Sequence, residues 1–175
     1  MNTIQGSLSA SGLKFAVILS RFNEFIGNRL LDGALRCLKK YGCADSDIDI
    51  YKVPGAYEIP VTADKIICTQ KYDAVICLGA VIRGGTPHFD FVAGGAAEGI
   101  MKVSLKHTIP VVFGVLTTDT YEQAIERSEY NAEQSEAITE ILPENKELGS
   151  GNKGWDSALT AIEMANLFAG KTDNR

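Results

Sequence analysis

Apolar residues recur along this 175-residue chain in two periods that alternate with one another. Short, β-branched runs fall at Lys14 to Leu19, Ile48 to Val53, Ala74 to Leu78 and Val111 to Leu116. Three of the four are almost continuously apolar, as strands covered on both faces are. Between them, Glu24 to Lys40, Glu58 to Thr69 and His88 to Lys106 repeat apolar positions at helical spacing. In the first of these Ile26, Leu30, Leu31, Ala34, Leu35 and Leu38 form one stripe, while Asn28, Asp32, Arg36 and Lys39 face away. Strand and helix in strict alternation predict a parallel sheet with helices on both faces, joined by right-handed crossovers. In such folds ligands collect at the carboxyl ends of the strands.

The last third breaks the regularity. Thr120-Tyr121-Glu122-Gln123 has the spacing of a capping box and predicts a helix that carries Arg127. Residues 128–150 are polar and acidic, with Glu129, Glu133, Glu136, Glu140, Glu144 and Glu147. Ala137, Ile138, Ile141 and Leu142 offer a weakly amphipathic turn or two before Pro143. We read this stretch as a surface insertion within a single domain spanning 1–175. A final helix, Lys153 to Ala169, has Trp155, Leu159, Ile162, Ala165 and Leu167 for packing.

Composition narrows the function classes. Seventeen Lys and Arg against 22 Asp and Glu give a net charge of −5, and no basic patch stands out, which argues against nucleic acid. The longest apolar run, Ala74 to Ile82, is interrupted by Gly79 and is too short to span a membrane. Met1 to Gly12 lacks the basic and apolar regions of a secretory signal, so the expected compartment is the cytoplasm. Cys37, Cys43, Cys68 and Cys77 have no CxxC spacing and read as buried thiols, with a bridge between two of them as the alternative. His88 and His107 share no ligand spacing with any cysteine, so no metal is expected.

Each strand leads into residues with chemical character. After the first comes Ser20-Arg21-Phe22-Asn23, where Phe22 either covers the core or offers a flat face to a heterocycle. The second ends in Val53-Pro54-Gly55-Ala56-Tyr57-Glu58-Ile59-Pro60, a forced turn followed by a carboxylate in the first turn of a helix. Glu58 there answers the helix dipole, or it accepts hydrogen bonds from a polyol. The third ends in Gly79-Ala80-Val81-Ile82-Arg83-Gly84-Gly85-Thr86-Pro87-His88, with Thr86 as candidate N-cap and Pro87 at the first helical position. Glycines beside a helix start suit a phosphate. His88 is either a solvated helix-start residue or a proton carrier kept neutral by the positive end of the dipole. No P-loop or GxGxxG pattern is present. Arg127 and Lys153 are surface charges or the cations that balance a phosphate.

Taken together, these strings resemble the lumazine synthase family. Phe113-Gly114-Val115-Leu116-Thr117, Glu122-Gln123-Ala124-Ile125-Glu126-Arg127, Gly151-Asn152-Lys153-Gly154-Trp155 and Ala161-Ile162-Glu163-Met164-Ala165-Asn166-Leu167 extend the match from about Gln5 to Leu167. The resemblance implies a flavodoxin-like, three-layer αβα sandwich around a four-stranded parallel sheet. It implies a transferase of riboflavin biosynthesis that condenses 5-amino-6-(D-ribitylamino)uracil with 3,4-dihydroxy-2-butanone 4-phosphate. The products are 6,7-dimethyl-8-ribityllumazine, phosphate and water, with no cofactor and no metal. It further implies that Phe22 stacks on the pyrimidine, that Ala56, Tyr57 and Glu58 hold the ribityl chain, and that Ala80, Val81 and Ile82 line the ring pocket. Gly85, Thr86 and Arg127 would take the phosphate, and His88 would move protons. Phe113, Arg127 and Lys153 would arrive from a neighbouring subunit, so the implied state is a homo-oligomer, with riboflavin synthase as a candidate partner.

Three features depart from the family pattern. Gly85 replaces a residue that is often acidic or small. Gly94 and Gly95 stand where a pair bearing a carboxylate is more usual, and with Gly99 they put three glycines in one helix, each costing about 1 kcal/mol against Ala. The acidic stretch replaces a short loop; bulk and like charge there favour a homopentamer over a sixty-subunit shell. A ligand carrier of the same fold would need neither His88 nor Arg127. A phosphorylated receiver domain would need an acidic cluster that Ser20-Arg21-Phe22-Asn23 does not supply.

Overall fold

The structure is a computed structural model that describes residues 1–69, 71–129 and 151–171. Its elements follow the predicted alternation: β1 (Phe15–Ser20), α1 (Glu24–Lys40), β2 (Ile48–Val53), α2 (Ile59–Ile67), β3 (Ala74–Ile82), α3 (His88–His107), β4 (Val111–Thr118), α4 (Tyr121–Ser128) and α5 (Lys153–Phe168). The four strands form one parallel sheet in the order β2-β1-β3-β4. Alternate residues of the central strands feed two cores. Phe15, Val17 and Leu19 of β1 pack with Ile26 and Leu30 of α1 and with Trp155, Leu159 and Ile162 of α5. Ala16 and Ile18 pack with Ile59, Ala63 and Ile66 of α2 and with Ala96, Ile100 and Val103 of α3. Helices therefore cover both faces, and the arrangement is the expected three-layer α/β sandwich.

Several boundaries move. β3 and β4 run on to Ile82 and Thr118, because Val81 and Ile82 still pair with Thr117 and Thr118; the polar end of β4 hid this extension. A 3₁₀ turn over Ala56–Glu58 precedes α2, which begins at Ile59 with Pro60 in its first turn, where a missing N–H does no harm. Glu58 thus sits just before the helix rather than within it. Thr86 is not the N-cap of α3. Pro87 holds that position in helical conformation (φ −63°, ψ −4°), and no side chain caps the helix. The predicted capping box of α4 is present: Thr120 Oγ1 accepts from Gln123 N at 3.2 Å, and Gln123 Oε1 accepts from Thr120 N at 3.4 Å. All four cysteines are free thiols, and Cys68 is exposed rather than buried, at the carboxyl end of the short α2. Burial, helped by Asp47 and Asp45, pushes the Cys43 thiol up to about 11. Most of the acidic insertion (130–150) lies outside the described residues.

Asn152 fixes the far end of the chain. Its Oδ1 accepts from the N–H groups of Gly154 (2.8 Å) and Trp155 (3.2 Å), capping α5. Its Nδ2 donates to the carbonyls of Arg29 (3.0 Å) and Ser128 (2.6 Å), tying α5 to α1 and α4. Glycines make room for this junction. A Cβ on Gly33 would fall 2.2 Å from Asn152 Oδ1, and one on Gly154 would fall 1.9 Å from the Leu30 carbonyl oxygen. The three glycines of α3 divide in the same way. A Cβ at Gly99 would meet Pro60 Cγ at 2.6 Å and one at Gly95 would meet Tyr57 Cε2 at 2.5 Å, whereas Gly94 faces open space. Close approach of α3 to the 56–60 segment, not tolerance of a weak helix, accounts for two of them.

Replacing Asn152 by Ala removes the cap and the side-chain bonds to the Arg29 and Ser128 carbonyls that tie α5 to α1 and α4. We expect a loss of about 3 kcal/mol in urea unfolding; a loss under about 1 kcal/mol would show that solvent takes over those bonds. Gly99→Ala gains helix propensity yet presses a methyl into the rigid Pro60 ring, so a net destabilisation of about 1–2 kcal/mol is expected in the same assay. Stabilisation would mean that α3 can shift away.

Candidate active site

At the carboxyl end of the sheet the chain leaves β1 under tight control. Arg21 N donates to the Val53 carbonyl (2.9 Å) and Phe22 N to that of Pro54 (3.1 Å), extending the β1–β2 ladder past the strands. Asn23 then turns the chain into α1 in the left-handed region (φ 60°, ψ 47°), which Asn tolerates better than most residues. Its Nδ2 donates to the Ala80 carbonyl at 2.9 Å, pinning the turn to β3. With the backbone held on both sides, the Phe22 ring is left 71% exposed. That number rules out the core reading and leaves a flat apolar face above the strand ends.

The Phe22 ring forms one wall of a cavity of about 590 Å³. Ala56, Tyr57 and Glu58 line it from the turn after β2, and Ala80, Val81 and Ile82 from the end of β3. Thr86, just before α3, and His88, its first residue, join the lining, followed by Phe89 beside them and by Phe91 and Val92 one turn further on. Glu58 makes no capping bond with its side chain, so its carboxylate is not spent on the helix it precedes. Gly85 lies in the exposed turn beside the cavity, not in its wall. The backbone N–H groups of Gly85 and Thr86 find no acceptor among the described residues. Donors left free beside a helix start are what an anion requires.

Phe113, Arg127 and Lys153 are elsewhere. They line a second cavity, of about 750 Å³, along the edge strand β4 between α4 and α5. Phe113 is 41% exposed on that edge. Arg127 is exposed and forms no ion pair among the described residues. Lys153 Nζ donates to Asp156 Oδ2 at 2.6 Å, while the other oxygen of Asp156 is buried with no partner. The two cavities share no residue. The first has the imidazole and the stacking aromatic but no Lys or Arg in its lining; the second has two cations and no histidine.

Sequence reasoning named residues that the structure divides between two surfaces, with Phe113, Arg127 and Lys153, which the resemblance implies come from a neighbouring subunit, on the second. It missed Asn23, whose partner is 57 residues away, and Asp156, whose spacing from Lys153 reads as an ordinary intrahelical pair. Phe91 and Val92 were not singled out, and their position at the start of α3, close behind His88, was the available signal. Among the described residues no three His, Cys, Asp or Glu side chains converge as metal ligands would, and no helix is long and apolar enough to cross a membrane.

The fold and this placement define an α/β protein of flavodoxin-like topology with one cavity at the carboxyl ends of its strands, where such folds bind ligands, and another along one sheet edge. Residues 12–169 match the family model described as 6,7-dimethyl-8-ribityllumazine synthase. The chain is similar to proteins of that name from Desulfatibacillum aliphaticivorans (55% identity, 94% of each chain) and Desulfotalea psychrophila (55%, 95% of this chain and 96% of the other). It is similar as well to the one from Clostridium kluyveri (52%, 96% and 97%). The chain belongs to the 6,7-dimethyl-8-ribityllumazine synthase family.

Proposed function

We propose that the protein condenses 5-amino-6-(D-ribitylamino)uracil with 3,4-dihydroxy-2-butanone 4-phosphate, releasing 6,7-dimethyl-8-ribityllumazine, phosphate and water, as a transferase of riboflavin biosynthesis in the cytoplasm. The pyrimidine stacks on Phe22 against the backbone of Ala80, Val81 and Ile82. Ala56, Tyr57 and Glu58 take the ribityl hydroxyls. The phosphate rests on the N–H groups of Gly85 and Thr86 and is neutralised by Arg127. The amine attacks the ketone and water leaves to form an imine, phosphate is eliminated, and the ribityl-bearing nitrogen closes the ring on the remaining carbonyl with loss of a second water.

Most of the acceleration comes from holding two reactants in register, which replaces a bimolecular encounter by an intramolecular one. His88 carries protons for imine formation and elimination, a contribution of about 10²–10⁴-fold for a general acid–base group. Arg127 and the free N–H groups stabilise charge on the departing phosphate. These steps call on no metal or organic cofactor.

The observation that carries this reading is the complementarity of the two cavities. A phosphorylated substrate at the His88 cavity needs a cation that the cavity's own lining lacks; the β4 edge offers Arg127 and Lys153, with Glu126 and Asp156 in the same lining and, among the described residues, only Lys153 ion-paired, to Asp156. A second protomer that applies its β4 edge to the mouth of the first completes the site. A cyclic assembly satisfies every protomer in this way, and we propose a homopentamer. Six glutamates within 128–150 set like charge and bulk against the closer packing of a sixty-subunit shell.

His88→Ala should retain slow turnover, and Arg127→Ala should chiefly raise KM for the phosphorylated ketone. Neither variant alone can supply an intact site at subsaturating ketone. Hybrids reassembled from equal amounts of the two should recover about a quarter of wild-type activity, since that fraction of interfaces pairs an intact imidazole with an intact guanidinium. Absence of recovery at any mixing ratio would put both groups in one chain's site.

A further inference from the structure

We propose that Arg83 is a positioning residue that pre-forms the phosphate cradle without touching the phosphate, an inference that rests on the condensation reading above. Arg83 follows β3 directly, and its backbone N–H donates to the Thr118 carbonyl at 2.9 Å, one rung beyond the β3–β4 ladder. Its guanidinium then reaches in two directions. Nε donates to Asp119 Oδ1 (2.9 Å), in the turn between β4 and α4. The two terminal nitrogens donate to Asp90 Oδ1 (3.1 Å) and Oδ2 (3.4 Å), in the first turn of α3. The guanidinium carbon also lies 4.1 Å from the centre of the Phe89 ring, which lines the His88 cavity.

The segment enclosed by these contacts is Gly84-Gly85-Thr86-Pro87. Neither glycine touches anything where a Cβ would be, and no N–H from Gly84 to Thr86 has an acceptor among the described residues. Two adjacent glycines with no packing of their own have wide conformational freedom, which a bound anion would have to remove. Arg83 restrains both ends of that segment: its own residue is locked to β4, and its side chain holds Asp90, two residues after His88. Stability is a poor reason for the arrangement. The Arg83 side chain is 43% exposed, and Asp90 and Asp119 are more so, a setting in which ion pairs contribute about 0–1 kcal/mol each. The same two carboxylates neutralise Arg83, which leaves Arg127 as the cation for the phosphate. A planar fork is required, since one ammonium cannot reproduce the three donor contacts to both carboxylates and stay over the Phe89 ring.

The test compares wild-type protein with Arg83→Ala, Arg83→Lys and Asp119→Asn in steady-state turnover of both substrates. Calorimetric titration with inorganic phosphate and thermal unfolding accompany it. Arg83→Ala should raise KM for the phosphorylated ketone and Kd for inorganic phosphate by about tenfold each, with KM for the pyrimidine within about twofold of wild type. Arg83→Lys should remain nearly as impaired as Ala, and Asp119→Asn should fall between. Equal rises in both KM values, an unaltered phosphate Kd, or full rescue by Lys would overturn the proposal. Failure of the wild-type protein to form the lumazine would instead defeat the condensation reading, and the phosphate titration would still decide the role of Arg83.

Discussion

Both faces of a parallel sheet must be covered, and that requirement decides where chemistry can sit in this protein. α1, α4 and α5 occupy one face and α2 and α3 the other, so Phe15, Ile18, Ile76 and Leu78 are sealed from water. Polar side chains that have to meet a ligand are left with the carboxyl ends of the strands and the free edge at β4. The His88 cavity and the Arg127 cavity lie at those two places, and they are fed by helices from opposite layers. One protomer thus presents His88 on one surface and Arg127 with Lys153 on another, and in the function we propose a second copy brings them together.

Local devices at the strand ends serve precision rather than stability. Asn23 accepts a left-handed conformation so that its side chain can hold the Phe22 turn to β3. Arg83 does similar work for the glycine turn before α3 with three exposed contacts of little energetic weight. Tyr57 is kept against the cavity by the absence of a side chain at Gly95. Stability is concentrated away from the site, in the two cores and in the Asn152 junction, so the binding surfaces can stay solvated and open. Such a division suits a reaction whose rate depends on alignment more than on a strong acid or base.

The repeating apolar runs made the architecture legible in the sequence, because burial on two faces and helical amphipathicity leave different periods. Boundaries shifted where local chemistry overrode the pattern, as at the polar end of β4 and around Pro60 and Pro87. The site was legible as strings at the strand ends, and Phe22, Glu58 and His88 fall where those strings suggested. That Phe113, Arg127 and Lys153 lie on a different surface was implied by the family resemblance alone, not by the residue pattern. Proximity in sequence is mute about layers, and Arg127 follows β4 by nine residues yet belongs to the face opposite His88. The residues that hold the loops were hidden for a related reason. Asn152 contacts a carbonyl 123 positions away and Arg83 a carboxylate 36 positions away, distances over which periodicity carries no signal.

The central claim is that no single protomer contains a working site. It is tested most directly by following mass in solution and lumazine formation together as the protein is diluted or pushed apart by mild denaturant below the unfolding transition. Turnover per chain should fall in step with loss of the oligomer and return when the protomers reassociate. A folded monomer that forms product at the undiminished rate would contradict the account.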